Sequence, residues 1–177
     1  MNDIEVRFLN INSKELQKKL VDLGAKKISD EMLEEWLFSK PEWKVFSGRV
    51  RVRKQGEKVE VAYKETKQET SKGNLEIEFV VSNVKSALYF LEKLGLTNPR
   101  HQQKRRVHYV INNVSVDIDF WPRIPPFVEI EAASLKQVKT IAGQLGFDMK
   151  DSCELDAFQV YKQVYKIDLS KVQELVF

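Results

Sequence analysis

The chain repeatedly alternates charged with apolar residues, and residues 49–53 show this most clearly, with three arginines separated by two valines. Because successive side chains of a β-strand point to opposite faces, the alternation predicts a strand whose guanidinium groups share one face. Side chains two apart on one face lie roughly 7 Å from each other, so the like charges repel. Such a face is stable where it is wet or where it holds an anion. The sequence leaves both interpretations open here.

Six further segments show charged residues on one face of a predicted strand and apolar residues on the other. The charged residues of these segments are Asp3, Glu5 and Arg7; Lys64; Glu76 and Glu78; Lys104 and Arg106; Asp117 and Asp119; and Glu129 and Glu131. A short aromatic strand is predicted from Glu35 to Ser39. The total of about eight strands is a number that can close into a barrel or a strongly curved sheet.

Three amphipathic helices are predicted to cover the apolar strand faces. Their predicted N-caps are Asn12, Asn83 and Ser134, and each helix ends at a Leu-Gly pair, which gives a weak internal repeat. A last helix is predicted from Asp156 to Tyr165. We therefore predict an α+β fold, an antiparallel eight-stranded closed or nearly closed β-barrel with a charged lumen and helices packed outside. The alternative is an ordinary antiparallel sheet whose charged face lies in water.

The composition limits the remaining possibilities. The 177 residues, 42% hydrophobic and 31% charged, predict one globular domain over residues 1–177 that includes the tail from about residue 156. A single cysteine, Cys153, excludes an internal disulfide, and no apolar run reaches membrane-spanning length. We expect a cytoplasmic protein with no membrane partner. A nucleic-acid partner is disfavoured, because the net charge is only +3 and aromatic residues do not alternate with the arginines.

In their order and spacing, these motifs resemble the CYTH superfamily, the triphosphate tunnel metalloenzymes. That superfamily includes thiamine triphosphatase, tripolyphosphatases and class IV adenylyl cyclases. The matching motifs are Asp3-Ile4-Glu5-Val6-Arg7, Val50-Arg51-Val52-Arg53, Tyr63-Lys64, Glu76 with Glu78, Lys104 with Arg106 and Tyr109, Asp119, and Phe127 to Glu131. The resemblance covers nearly the whole chain and implies the tunnel form of the fold.

Several positions depart from the family pattern. Asp3 and Arg7 stand where the family has glutamate and lysine, and Arg123 to Pro126 replaces a glycine-rich loop. The early Asp-x-Tyr-Phe pattern appears only as Glu35 to Phe38, and the histidine-phenylalanine pair expected in cyclases is not evident. These departures disfavour a cyclase and leave the identity of the triphosphate open.

The resemblance and the chemistry of a polyanion together give the expected site. A triphosphate needs several fixed cations, and a hard divalent ion, Mg²⁺ or Mn²⁺, prefers carboxylate oxygens. The expected phosphate-binding residues are Arg7, Arg51, Arg53, Lys64, Lys104 and Arg106, with Lys162 as a further candidate whose plainer interpretation is a solvated helix lysine. The resemblance implies Asp3, Glu129 and Glu131 as ligands of a first metal ion, and Glu5, Glu76, Glu78 and Asp119 as ligands of a second or of its water. The expected catalytic residues are Glu5, Arg7, Lys64 and Asp119.

The functional expectation is a metal-dependent triphosphatase that acts on an organic triphosphate, such as thiamine triphosphate or a nucleoside triphosphate, or on inorganic tripolyphosphate. One alternative is a class IV adenylyl cyclase that forms cyclic AMP and pyrophosphate from ATP. Another is a non-catalytic binder of polyphosphate or of an RNA 5′-triphosphate. The expected partner is the small-molecule triphosphate, and an apolar strand edge favours a homodimer.

Overall fold

A computed structural model describes residues 4–40, 43, 48–65 and 75–177. The predicted metal ligand Asp3 lies outside these residues. The strands are β1 (Ile4–Phe8), β2 (Lys26–Phe38), β3 (Arg49–Gln55), β4 (Lys58–Glu65), β5 (Leu75–Val81), β6 (Arg100–Ile111), β7 (Val114–Phe120), β8 (Phe127–Ala132) and the short β9 (Glu174–Leu175). The helices are α1 (Ser13–Asp22), α2 (Val84–Lys93), α3 (Leu135–Leu145) and α4 (Ala157–Gln159), which continues as a π-helical turn over Val160–Val164.

The eight longer strands follow the order β1-β8-β7-β6-β2-β3-β4-β5, and β9 pairs with β6 in parallel. The ladders β1–β8, β2–β3, β3–β4, β4–β5, β6–β7 and β7–β8 are antiparallel. The predicted α+β fold with an eight-stranded antiparallel sheet is confirmed. The strand path has two end strands, β1 and β5, as the nearly closed form of the prediction allows.

The chain divides into two compact units. The first holds residues 1–31, 104–169 and 177, and the second holds residues 32–103 and 170–176. Strands β2 and β6 contribute residues to both units. The prediction that residues 1–177 form one domain stays a prediction.

In the first unit, α1 and α3 supply the apolar side chains that cover the sheet. Leu20 of α1 and Val138 of α3 join one buried cluster with Val116, Ile118 and Ile130 of β7 and β8. The alternation predicted for β7 is confirmed, because its valines and isoleucine enter this cluster. The charged residues of β6, β7 and β8 therefore share the other face of the sheet.

In the second unit, α2 packs on the apolar face of β3 and β4. Val50, Val52 and Val61 form a buried cluster with Ala87 and Leu91 of α2. The two strands form the predicted hairpin, with Gln55 opposite Lys58. Gly56, in the two-residue turn, has a φ of 55°, which a residue without a Cβ adopts at no steric cost.

The helix caps were predicted correctly. The side chains of Asn12, Asn83 and Ser134 each accept a hydrogen bond from the backbone N–H three residues later. The predicted last helix is confirmed as α4 with its π-helical turn, and Asp156 caps it. None of the helices in the described residues is long and apolar enough to span a membrane.

Strand β2 differs from its prediction. It begins at Lys26, whereas the aromatic pattern predicted a short strand starting at Glu35. Residues 26–34 lack a clean apolar face, and Ile28 and Met32 are exposed. The extra length is fixed by cross-strand partners: Arg105 makes two hydrogen bonds to the Asp30 carboxylate, at 2.7 and 2.9 Å. The start of β2 is therefore set by contacts with a neighbouring strand and not by the local sequence pattern.

Candidate functional site

In the first unit, the Arg106 guanidinium on β6 binds three carboxylates of β7 and β8. Its Nε and Nη2 donate to the two oxygens of Asp119, both at 2.6 Å. Its Nη1 donates to Asp117 at 2.7 Å, and Nη2 also donates to Glu129 at 2.6 Å. Period-two alternation puts these side chains on one face, and antiparallel pairing brings them level, with Arg106 opposite Asp119. We call these four residues the Arg106 cluster.

Lys104 adds a second buried cation to the same carboxylate. Its Nζ lies 3.3 Å from Asp119 Oδ2 and 5.2 Å from the centre of the Trp121 ring. Asp119 is fully buried. Burial opposes its ionisation, but Lys104 and Arg106 outweigh burial and lower the pKa of Asp119 to about 2. Asp119 is therefore a fixed anion that positions two cations.

Strand β1 brings a second arginine to Glu129. Arg7 Nε donates to Glu129 Oε1 at 2.6 Å, and Arg7 Nη1 donates to the Leu155 carbonyl at 2.9 Å. Arg7 also forms an ion pair with Glu5. Burial and the coulombic effect of Glu129 outweigh Arg7, and with a smaller contribution from Glu131 they raise the pKa of Glu5 to about 7. The Glu5 side chain is 36% exposed, so water screens part of this effect.

The carboxylates at β1 and β8 have the chemistry that a hard divalent cation requires. Glu5 lies opposite Glu131 in the β1–β8 ladder, and Arg7 lies opposite Glu129. Burial first, and then the neighbouring Glu129, raise the pKa of Glu5, and a divalent ion bound here would favour its charged form. Among the described residues, no three Asp, Glu, His or Cys side chains are already arranged as a metal-binding group. The carboxylate oxygens are thus the type of ligand that Mg²⁺ or Mn²⁺ prefers. In this structure Glu129 is hydrogen-bonded to Arg7 and Arg106.

In the second unit, β3 and β4 carry three basic residues, Arg51, Arg53 and Lys64, of which Arg53 has a structural partner. Arg53 Nε donates to Glu35 Oε1 at 2.7 Å, and Gln102 Nε2 donates to Glu35 Oε2, also at 2.7 Å. Glu35 is only 4% exposed. The β2–β3 ladder places Glu35 directly opposite Arg53. This carboxylate therefore holds Arg53 in place.

Arg51 is buried and poorly paired. Its Nε has no hydrogen-bond partner in the part of the chain that the structure describes. The ion-pair distances from Nε to Glu35 and from Nη2 to Glu76 are both 4.0 Å, beyond hydrogen-bonding range. Burial and the adjacent Arg53 lower the pKa of Arg51, and Glu35, Glu76 and Glu78 only partly oppose this. The unused donor of this buried guanidinium is available to an anion or to a water molecule.

Lys64 completes the basic group of the second unit. It lies next to Arg51 on the same face, and its Nζ donates to Glu76 at 2.6 Å. Burial lowers the pKa of Lys64, and the hydrogen bond to Glu76 only partly opposes this. Glu76 and Glu78 are exposed on β5. Arg51, Arg53 and Lys64 form what we call the basic group.

The structure thus assembles most of the predicted site residues within one unit or the other. The first unit brings together Glu5, Arg7, Lys104, Arg106, Asp119, Glu129 and Glu131. The second brings together Arg51, Arg53, Lys64, Glu76 and Glu78. Lys162 is exposed on the π-helical turn. The roles assigned to these residues, and the convergence of all the charged faces on one lumen, stay predictions.

Sequence reasoning did not assign site roles to Asp117, Glu35 or Trp121. Asp117 shares the strand face of Asp119, so the same alternation could have indicated it. It also lies within hydrogen-bonding distance of His108, whose Nδ1 is 2.6 Å from Asp117 Oδ1. Glu35 gave no local signal, because Arg53 and Gln102 come from other strands, and Trp121 gave none because Lys104, which lies over its ring, comes from β6.

Comparisons with known proteins agree with this fold. The chain resembles the PH1012 protein from Pyrococcus horikoshii OT3, with 27% identity and a TM-score of 0.71 over 86% of this chain and 94% of that chain. It is similar in fold to an adenylate cyclase candidate from Vibrio parahaemolyticus, with 12% identity and a TM-score of 0.74 over 93% and 97%.

A third similar fold is that of HpAC1 from Hippeastrum, an adenylyl cyclase candidate described as having a dominant triphosphatase activity. It shares 12% identity and a TM-score of 0.59 over 92% of this chain and 96% of that chain. No curated protein matches the sequence. The CYTH domain model matches residues 1–152, and the resemblance seen in the sequence is therefore confirmed: the chain belongs to the CYTH domain family.

Proposed function

We propose that this protein is a divalent-metal-dependent phosphohydrolase that binds a triphosphate and releases phosphate. The observation that carries the proposal is Arg51, a buried guanidinium whose Nε has no partner among the described residues. Burying a cation in this way is unfavourable unless an anion completes it. A planar guanidinium can bind a phosphate group through two parallel hydrogen bonds, as it binds a carboxylate.

The basic group supplies the contacts that a polyphosphate needs. Arg51 would donate to phosphate oxygens without losing an existing hydrogen bond. Lys64 would exchange Glu76 for phosphate, since Glu76 is half-exposed and regains water. Arg53 would keep its hydrogen bond to Glu35, and its positive charge would attract the phosphate groups. In the first unit, Arg7, Lys104 and Arg106 are the proposed further phosphate contacts, and Asp119 holds the last two in position.

The proposed metal ligands are Glu5, Glu129 and Glu131. The other predicted carboxylates are Asp3, which precedes Glu5 by two residues in the sequence, and Asp119, Glu76 and Glu78. A bound Mg²⁺ or Mn²⁺ would neutralise phosphate charge and orient a water molecule. Glu129 already accepts hydrogen bonds from Arg7 and Arg106, so these two cations would compete with a metal ion for its carboxylate. An incoming phosphate group gives those two arginines a replacement partner. Metal and triphosphate should therefore favour each other's binding.

The main alternative is an adenylyl cyclase, and it is favoured by one specific observation. Two structural neighbours, from Vibrio parahaemolyticus and Hippeastrum, are adenylyl cyclase candidates. The second is also described as having a dominant triphosphatase activity. Sequence departures from the cyclase pattern make hydrolysis our first choice. A third candidate is a non-catalytic polyphosphate binder, which the experiment below also distinguishes.

The deciding experiment is a substrate panel with Mg²⁺ and with Mn²⁺, using tripolyphosphate, thiamine triphosphate, ATP and GTP. We expect phosphate release from at least one substrate and loss of release when EDTA is added. Cyclic AMP and pyrophosphate from ATP would instead identify a cyclase. Tight binding that survives EDTA, without any product, would identify a binder. A Glu131→Gln variant is the matched control against a contaminating phosphatase, because it should lose the metal-dependent activity.

A further inference from the structure

Strand β5 is an end strand of its sheet and is almost wholly exposed. Ile77 and Phe79 are each 53% exposed and Val80 is 64% exposed, although all three lie in the middle of a strand. The strand contains neither lysine nor proline, two of the residues that protect an edge from pairing, and its two charges, Glu76 and Glu78, lie on the face opposite Ile77 and Phe79. By contrast, the backbone of end strand β1 is covered at Arg7, whose carbonyl accepts from the Cys153 N–H at 2.8 Å.

Helix α2 extends this apolar surface. Phe90 is 60% exposed and, with Phe79, lines a groove of about 280 Å³ between β5 and α2. Val61, Val81 and Leu91 form the floor of the groove. Exposed aromatic rings beside an unprotected strand edge are typical of a protein–protein interface and costly on a monomer.

We propose that a second copy of this chain covers the surface, and that two β5 strands pair antiparallel around a two-fold axis at Phe79. In this register Phe79 faces its own copy, Ile77 faces Val81, and Glu78 faces Val80. Every pair then joins residues on the same face of the sheet, as antiparallel pairing requires. The pairs formed by Phe79 with its copy and by Ile77 with Val81 lie on the face of the sheet that α2 covers, where Phe90 would pack beside them.

The charges on β5 disfavour one competing register. Centring the axis on Ile77 would set Glu76 directly opposite Glu78, and like charges in that position are destabilising. Centring it on Phe79 leaves Glu78 opposite an apolar side chain, while Glu76 keeps its 2.6 Å ion pair with Lys64. The sequence of β5 is therefore self-complementary without a like-charge pair. This inference does not rest on the proposed function.

Sedimentation velocity of the full chain tests the dimer. At roughly 100 μM, where any dimer with a micromolar Kd is assembled, the wild type should sediment at twice the mass of one chain. Phe79→Glu should raise the dimer Kd by about tenfold or more, because it places two carboxylates opposite each other on the axis. Val21→Glu, an equally exposed apolar position on α1, is the matched control and should leave the dimer intact. A wild-type monomer, or a folded Phe79→Glu dimer with unchanged Kd, would overturn the proposal.

Disulfide trapping tests the register even if Phe79→Glu fails to fold. In a Cys153→Ser background, Phe79→Cys should cross-link rapidly, since directly opposed residues bring their Cβ atoms to about 4.5–5.5 Å. Ile77→Cys and Val80→Cys are the controls. In the proposed register neither residue lies opposite the same residue of the second copy, because position 77 pairs with 81 and position 80 pairs with 78. Preferential cross-linking at position 79 would support the proposal. Equal or faster cross-linking at position 77 or 80 would refute the register.

Discussion

Replacing Arg51 by methionine should weaken anion binding without weakening the fold. Methionine keeps much of the side-chain volume and removes the charge. Arg51 Nε has no hydrogen-bond partner among the described residues, and its ion pairs are 4.0 Å long. An unsatisfied buried donor costs about 1–3 kcal/mol, so Arg51→Met should leave the free energy of unfolding unchanged or raise it by about 1 kcal/mol.

Arg53→Met should have the opposite effect on stability. Arg53 donates at 2.7 Å to Glu35, which is almost completely buried and also accepts a hydrogen bond from Gln102. Removing the closely paired cation from a buried carboxylate costs about 3 kcal/mol. Two neighbouring arginines on one strand face should thus differ by several kcal/mol in their effect on folding.

The loss of tripolyphosphate binding in Arg51→Met can also be estimated from the energy of a hydrogen bond. A charge-assisted hydrogen bond contributes about 1.5–3 kcal/mol, so Arg51→Met should raise the Kd of tripolyphosphate by roughly 10- to 150-fold. Urea unfolding followed by tryptophan fluorescence measures stability, and titration calorimetry with tripolyphosphate and Mg²⁺ measures binding. Lys54→Met controls for net charge, because Lys54 is an exposed neighbour on the same strand. The reasoning fails if Arg51→Met binds like the wild type, or if it destabilises the fold as much as Arg53→Met.

Three further predictions concern individual charges. Glu131→Gln should raise the Kd of Mn²⁺ about tenfold or more, because a carboxylate ligand loses its charge; an unchanged Kd in metal titration would exclude Glu131 as a ligand. Arg106→Met should cost about 3–5 kcal/mol in urea unfolding, since Asp119 is fully buried; a loss below about 1 kcal/mol would contradict the structural role of the Arg106 cluster. For His101, burial opposes the charged form, but hydrogen bonds to Glu174 and Glu34 outweigh it and raise its pKa. Its stabilising contribution is complete below the ordinary pKa of 6.5 and is lost as the pH rises through the higher folded pKa. The stability difference between wild type and His101→Gln should therefore shrink from pH 5.5 to pH 9, and a constant difference would refute this.

The strands and helix ends could be predicted from the sequence because their signals are local. Alternation with period two identified β7 and its faces, and side-chain caps such as Asn83 and Ser134 were recognisable three residues before the groups that they bind. The charged side chains of the first unit were also predictable as a set, since alternation puts them on one face.

The partners of the charges could not be predicted, because they depend on pairing between distant strands. Arg51 and Arg53 occupy equivalent places in the sequence pattern, yet only Arg53 lies opposite Glu35. Glu35 in turn sits on β2, whose true extent is fixed by contacts such as Arg105 with Asp30. The distinction between an arginine held by a carboxylate and one with an unused donor therefore appears only in the folded chain.

A crystal structure with tripolyphosphate and Mn²⁺ tests the central claim most directly, since anomalous scattering locates the metal and density locates the phosphates. We predict a phosphate oxygen within hydrogen-bonding distance of Arg51 Nε, and Mn²⁺ bound to carboxylate oxygens of Glu5, Glu129 or Glu131. Tripolyphosphate bound elsewhere with Arg51 unchanged, or Mn²⁺ away from these carboxylates, would contradict the account.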